Sequence, residues 1–382
     1  MDLLEKKRQK WIVGLVILGL LLVVAGLGAF SYFYNNSCYR SYQVKNRVDR
    51  SDSNNVRYLY YEGNILKYSR SGISEIDNEG KSLWNGGYEM KQPQVDICGD
   101  YVVVADVSGK QFYVYNGEDE GTAIETNLPI VRAKVTNRGL VAVLLQDEDS
   151  NVLNIYNPYS NADMLLIEIP TNVAEEGYPL DFDISPDGKS VVTSYLVVNG
   201  SNIETRISFF NFTEVGQDKN TLVGGKSFGE SMVGKIEFIG DDQVAVFHEK
   251  GYTVFQQMKR PEIMLEKKFK EEIKSIAFNE GYVAVVLEKD GKIENQELLL
   301  IDERGREKLR RKIPYEYANM EIHGEEIIFT GNRSCNILRF NGHDKFEYQF
   351  EQEIDAVYPT SDGMLYTLID ASTIQKIKLE NK

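Results

Sequence analysis

The chain has 382 residues, 26% charged and 42% apolar, which is the composition of an ordinary globular protein with a substantial core to bury. Its formal net charge of −15 argues against nucleic acid as a partner, because phosphate binding needs a basic face. Cys38, Cys98 and Cys335 are too few and too scattered for a disulfide framework or a metal site.

Residues 11–34, WIVGLVILGLLLVVAGLGAFSYFY, carry no charge. A helix of that length would span ~36 Å against a hydrocarbon core of ~30 Å. Trp11 at one end and Tyr32, Phe33 and Tyr34 at the other suit the two membrane interfaces. The run is longer than the ~7–15 residues of a signal-peptide core and no convincing cleavage site follows, so it reads as an uncleaved single-pass anchor. Lys6, Lys7, Arg8 and Lys10 lie closer to it than Arg40, Lys45, Arg47 and Arg50. That bias keeps residues 1–10 in the cytoplasm and the remainder outside it, at the cell membrane. The remainder holds 39 basic and 56 acidic residues, a net of −17, so anionic lipid would not attract it. Residues 35–55 are polar and rich in Asn and Ser, as a stalk would be, yet Ser41–Val48 alternates enough to be a short strand.

Beyond the stalk, a turn with Gly or Asp followed by a strongly apolar run occurs eight times, at Gly63, Gly99, Gly139, Gly188, Gly240, Gly281, Gly324 and Gly363. The intervals average about 43 residues, the period of a four-stranded propeller blade. The second unit divides into QVDICGD, YVVVADV, QFYVYNG and GTAIETNLP, and the sixth into IKSIAFNEG, YVAVVLEKD, ELLLIDERG and EKLRRKIP. All are rich in strand-forming residues. IDNEGK at Ile76–Lys81 and IDERGR at Ile301–Arg306 repeat one turn at corresponding places. The expected fold is therefore all-β: a β-propeller over residues 56–382, preceded by one transmembrane helix. The last unit supplies three strands, DAVYPTSDG, MLYTLID and TIQKIKL. Eight blades follow if Ser41–Val48 provides the fourth strand and closes the ring. Seven blades with irregular ends is the alternative.

The stretches 56–104, 127–145, 177–196 and 210–225 resemble an uncharacterised family of single-pass, membrane-anchored propeller proteins of Gram-positive anaerobes. The resemblance implies topology and fold, and carries no assigned site. DISPDG (Asp183–Gly188) is similar to WD40 and TolB-type blades, and DNEGKSLW (Asp77–Trp84) to quinoprotein-type blades. Propellers with unrelated tasks share both.

Catalytic signatures are sparse. There is no G-x-S-x-G elbow, and His248, His323 and His343 fall near turns of different units, as surface histidines would. The chain therefore reads as a protein without catalytic residues, resident cofactor or metal centre. Asp187 reads as a turn-ordering residue and Trp84 as inter-blade packing. One pattern has functional promise. In a four-stranded blade, the second-to-third strand loop and the blade-to-blade connection emerge on the same face. Asp147, Glu148, Asp149, Glu175, Glu176, Tyr178, Asn199 and Asn202 all fall in such segments of units three and four. They could hold Ca²⁺ or a basic peptide of a partner, or simply be solvated. Glu118–Glu120 belongs to the opposite face. The leading expectation is a non-enzymatic scaffold that binds an envelope protein. The alternative is a glycan- or small-ligand-binding module using Tyr156, Tyr159 and Tyr178, and an enzyme acting on envelope polymers comes third.

Overall fold

The computed structural model describes residues 11, 17, 19–28, 32–33, 35–50, 55–118, 120–147, 150–160, 164–213, 221–279 and 281–381. The apolar run 11–34 lies partly outside the described residues. Its described residues are helical and exposed. Among the described residues, no helix is long and apolar enough to cross a membrane.

Among the described residues, thirty-two strands form eight four-stranded antiparallel sheets, arranged as an eight-bladed propeller. In blades 1–7 the sheet order equals the chain order, so each blade is a meander running from the inner strand a to the outer strand d. Blade 8 differs. Its inner three strands are Ile354–Pro359, Leu365–Asp370 and Thr373–Glu380, and its outer strand is β1, Ser41–Asp49. The register runs from Ser41 opposite Glu380 to Asp49 opposite Thr373, with a bulge between Val44 and Asn46. The N-terminal strand thus pairs an edge that would otherwise stay open.

The middle strands explain the apolar runs. Val102–Ala105 of blade 2 is wholly buried because blades 1 and 3 cover its two faces. One cluster joins Val103, Ala105 and Phe112 of blade 2 to Val141, Val143 and Leu145 of blade 3. At the seam, Tyr58 and Ile65 of blade 1 pack with Tyr358 and Ile369 of blade 8. Trp84, on the outer strand of blade 1, stacks on Tyr115 of blade 2 at 5.4 Å and donates Nε1–H to Glu75.

The repeated turns work as their sequences suggest. Asp77 Oδ1 accepts the amides of Glu79 and Lys81, and Asp302 Oδ1 those of Arg304 and Arg306. Gly80 and Gly305 sit at φ 82° and 74°, where a side chain would be strained. In DISPDG, Asp187 Oδ1 accepts the Ser185 hydroxyl and the Lys189 amide, so it orders the turn.

Arg50 locks the seam. Its buried guanidinium donates to Asp355 (2.5 Å) and to the Asp370 carbonyl, and lies 4.8 Å from the Tyr58 ring centre. Arg50→Ala is expected to cost about 2–3 kcal/mol, because it removes packing as well as charge and leaves polar groups unpaired. Chemical denaturation of the full chain checks this, and an unchanged midpoint contradicts it.

Candidate functional site

Strand direction alternates within each blade, so the ring has two distinct faces. The a–b and c–d turns emerge on one, here the turn face. The b–c loops and blade-to-blade segments emerge on the other, here the connection face. β1 begins beside Glu380 on the turn face. The segment leading into it stays there, on blade 7: Asn341 donates to the Asn35 carbonyl, Arg339 to that of Ser37, and the Tyr39 amide to that of Lys345. The chain therefore joins the ring from the turn face, and among the described residues none of 35–40 crosses to the connection face.

Those of the residues expected to form an acidic site that the structure describes lie on the connection face. Asp147 is exposed in the loop between Val141–Gln146 and Ser150–Tyr156, and Glu148 and Asp149 lie outside the described residues. Glu175 and Glu176 belong to a one-turn helix, Val173–Glu176, which leads into Tyr178 at the start of blade 4. Glu176 and Tyr178 are exposed. Asn199 and Asn202 close the Ser190–Asn199/Asn202–Asn211 hairpin. Of Glu118–Glu120, whose middle residue lies outside the described ones, the structure puts Glu118 and Glu120 on the turn face, between Gln111–Tyr115 and Thr122–Glu125. Among the described residues, no group of three or more His, Cys, Asp or Glu is arranged to hold a metal ion.

Two expectations need correction. Tyr156, Tyr159 and Tyr178 do not make one platform. Tyr156 is buried against Phe112, Tyr159 lies on the turn face beside Tyr101, and Tyr178 is on the connection face. Nor is His323 a surface histidine: its side chain is 12% exposed, 3.0 Å from Glu321 and packed at a tilt against Tyr60 with ring centres 4.5 Å apart. The inner strand ends there at the mouth of the central channel, where the aromatic rings of blades 1, 7 and 8 converge, so the turn position hides a contact across the channel. His343 is exposed and His248 half-buried against Phe228.

His323 instead lines a cavity of about 1080 Å³ at the turn-face mouth of the central channel, with Tyr60, Phe278, Met320, Glu325 and Arg339. Asn35 stands at its edge.

Across the channel, the inner strands of blades 2–5 carry an ion network that sequence reading did not anticipate. Lys134 Nζ lies 2.9 Å from Asp96 and 3.6 Å from Asp183, Arg132 pairs with Asp181, and Lys235 with Glu237 at 2.8 Å. The carboxylates also clasp the neighbouring backbone. Asp96 accepts the Val135 amide, Asp181 that of Ile236, and Asp183 that of Phe238. Burial alone would lower the Lys134 ammonium, but Asp96, Asp183 and Glu237 hold it above the ordinary lysine range. Burial pushes the Asp183 carboxyl up to about 7, and Lys134 offsets this only in part. Charges at alternate positions of inner strands (RAK at 132–134, DFD at 181–183, KIE at 235–237) are the signal that could have revealed the network.

A carboxyl raised in the folded state is stabilising when protonated, and that contribution is lost as pH rises from the unfolded value of 3.8 through about 7. The wild type should therefore lose about 2–3 kcal/mol relative to Asp183→Asn between about pH 5 and about pH 8. Parallel melts of both proteins check this, and parallel pH profiles would refute the shift.

The architecture defines the class: an eight-bladed β-propeller, closed by its N-terminal strand, with acidic residues in the connection-face segments of blades 3 and 4. Residues 35–379 match the sequence model of DUF5711, and the chain belongs to this family of unknown function. No curated protein sequence matches the chain. Similar solved structures include BamB from Moraxella catarrhalis, at TM-score 0.53 and 12% identity over 90% of this chain and 99% of that one. Another is Sqt1 from Chaetomium thermophilum bound to the N-terminus of the ribosomal protein L10, at TM-score 0.53 and 10% identity over 90% and 99%. At these identities the likeness is one of fold.

Proposed function

We propose that this protein is a non-enzymatic interaction scaffold, tethered to the cell membrane by residues 11–34, with its propeller outside the cytoplasm and its connection face presented to an envelope protein. The observation that carries the reading is the division of labour between faces. The chain from the apolar segment enters on the turn face, so the acidic loops of blades 3 and 4 face away from the tether. A rigid ring with a loop-rich face suits protein binding. Sqt1, a protein of similar fold, is bound to a segment of another protein.

The test is in-cell crosslinking of the full-length protein, followed by purification and mass spectrometry. A small reproducible set of envelope proteins is expected; the protein alone, in repeated trials, would overturn the scaffold reading. The placement has its own test. Ser201→Cys, exposed at the tip of the blade 4 hairpin, should react with a membrane-impermeant thiol probe on intact cells. Protection there until the cells are lysed would refute the outside placement.

A second reading rests on the turn-face cavity, whose volume and mixed aromatic and charged lining suit a small ligand. Binding of cell-wall fragments that is lost on Tyr60→Ala would favour it.

A further inference from the structure

The second and third strands of blade 4, at ten residues each, outrun their neighbours. Tyr178, the first residue of the inner strand, pairs with Leu196, and the outer strand begins its pairing at Arg206 opposite Ser227. Residues 197–204 therefore overhang the connection face as a two-stranded flap, Asn199 lying roughly 10 Å beyond Leu196 at ~3.3 Å per residue.

Register fixes what the flap shows. Val192, Ile207 and Phe209 pack against Val233, Ile236 and Val244 of blade 5. Tyr178, Leu196, Val198 and Ile203 share that sheet face, and Val198 is directly opposite Ile203. Buried packing thus continues past the edge of blade 5 as an uncovered apolar strip. Tyr178, Val198 and Ile203 are each about half exposed, as is Met232 in the segment joining blades 4 and 5. The outward backbone edge is open as well. The Thr205 amide bonds to Gly229, and among the described residues no outward backbone bond follows along Asn202–Glu204. Isolated two-stranded extensions are marginal in water, and an apolar one with an open edge is a template for a further strand.

Charge selects the occupant. Among the described residues, the segments around the flap carry Asp147, Glu176 and Glu230 and no lysine or arginine, and on the flap's own strand Glu204 is paired with Arg206. A second copy of this acidic chain would be repelled.

We infer that the blade 4 flap receives an extended, basic segment of a partner protein, which adds a strand along the Asn202–Glu204 edge. Its alternate apolar side chains cover Val198, Ile203 and Met232, and its lysines or arginines meet the acidic loops. This deepens the scaffold reading and rests on it.

A short fluorescein-labelled peptide of alternating valine and lysine is the probe, titrated against the full-length protein in detergent, with a valine–glutamate peptide as control. The basic peptide should bind, weaken as salt is raised, and lose about tenfold in affinity to the double variant Val198→Asp/Ile203→Asp. Both substituted residues lie on the overhang outside the core, so the variant should still unfold cooperatively, although the facing aspartates repel each other. A paired variant, Val198→Thr/Ile203→Thr, keeps strand propensity and should lose less. No binding of the basic peptide, equal binding of the acidic one, or undiminished binding to the Asp variant overturns the inference. In cells, a partner set that survives the Asp variant overturns it too while leaving the scaffold reading intact. Absence of any partner set for the wild type defeats the scaffold reading.

Discussion

A chain beginning at residue 56, without β1, should be markedly less stable than a chain beginning at residue 35. Removing β1 strips blade 8 of its outer strand and leaves the last strand, Thr373–Glu380, with an unpaired edge. It also removes Tyr42, which packs on Tyr348 at 5.1 Å and Phe350 at 5.8 Å and so ties blade 8 to blade 7, together with the Arg50 lock. The summed cross-strand, aromatic and ionic loss is of order 5 kcal/mol, comparable to the net stability of many domains. The shorter chain should melt at least ~5 °C lower and aggregate as its concentration rises. A synthetic peptide of residues 39–50 should partly restore it. Equal melting temperatures for the two chains would show that closure by β1 is not what holds the ring.

The second large effect belongs to Asp181. Its carboxylate is fully buried, paired with Arg132 on blade 3 and accepting the Ile236 amide of blade 5 at 2.7 Å. It therefore joins three successive blades at the channel wall. Asp181→Ala removes the buried partner of Arg132, whose own side chain is one-third exposed, and leaves a buried amide unsatisfied, with an expected cost of about 2–4 kcal/mol. Asp181→Asn still accepts the amide but cannot neutralise Arg132, so about half that loss is expected. Urea denaturation separates the two. A cost under about 1 kcal/mol for Asp181→Ala would mean that the network is dispensable to stability.

The contrast between these two sites shows how much of the molecule was legible in its residues. The blades were, because a strand covered on both faces must be apolar throughout, as in VVVA at 102–105 and VAVV at 283–286. Closure was legible for a topological reason: the last unit was one strand short and SYQVKNRV alternated. The side of the ring on which the acidic loops lie followed from antiparallel parity alone. The alternating charges of the inner strands were visible, but their burial was not, since alternating charge on a strand normally marks a solvent-facing side. Here the opposite side is another blade. The tyrosines misled because exposure depends on which strand of which blade a residue occupies. Tyr156 ends a third strand and is buried, whereas Tyr178 opens a first strand and is exposed. The flap was less legible because its overhang is a difference between its own ten-residue strands and the shorter strands beside them.

The connection face is the centre of the functional proposal, and a face-resolved crosslinking experiment tests it most directly. A photo-crosslinking amino acid would replace Tyr178 or Asn202 on the connection face, and Asn341 or Thr360 on the turn face, in the full-length protein in living cells. Illumination should give discrete envelope-protein adducts from the first pair and none from the second. Adducts from Asn341 and Thr360, with Tyr178 and Asn202 silent, would contradict it and move the partner to the face where the chain enters.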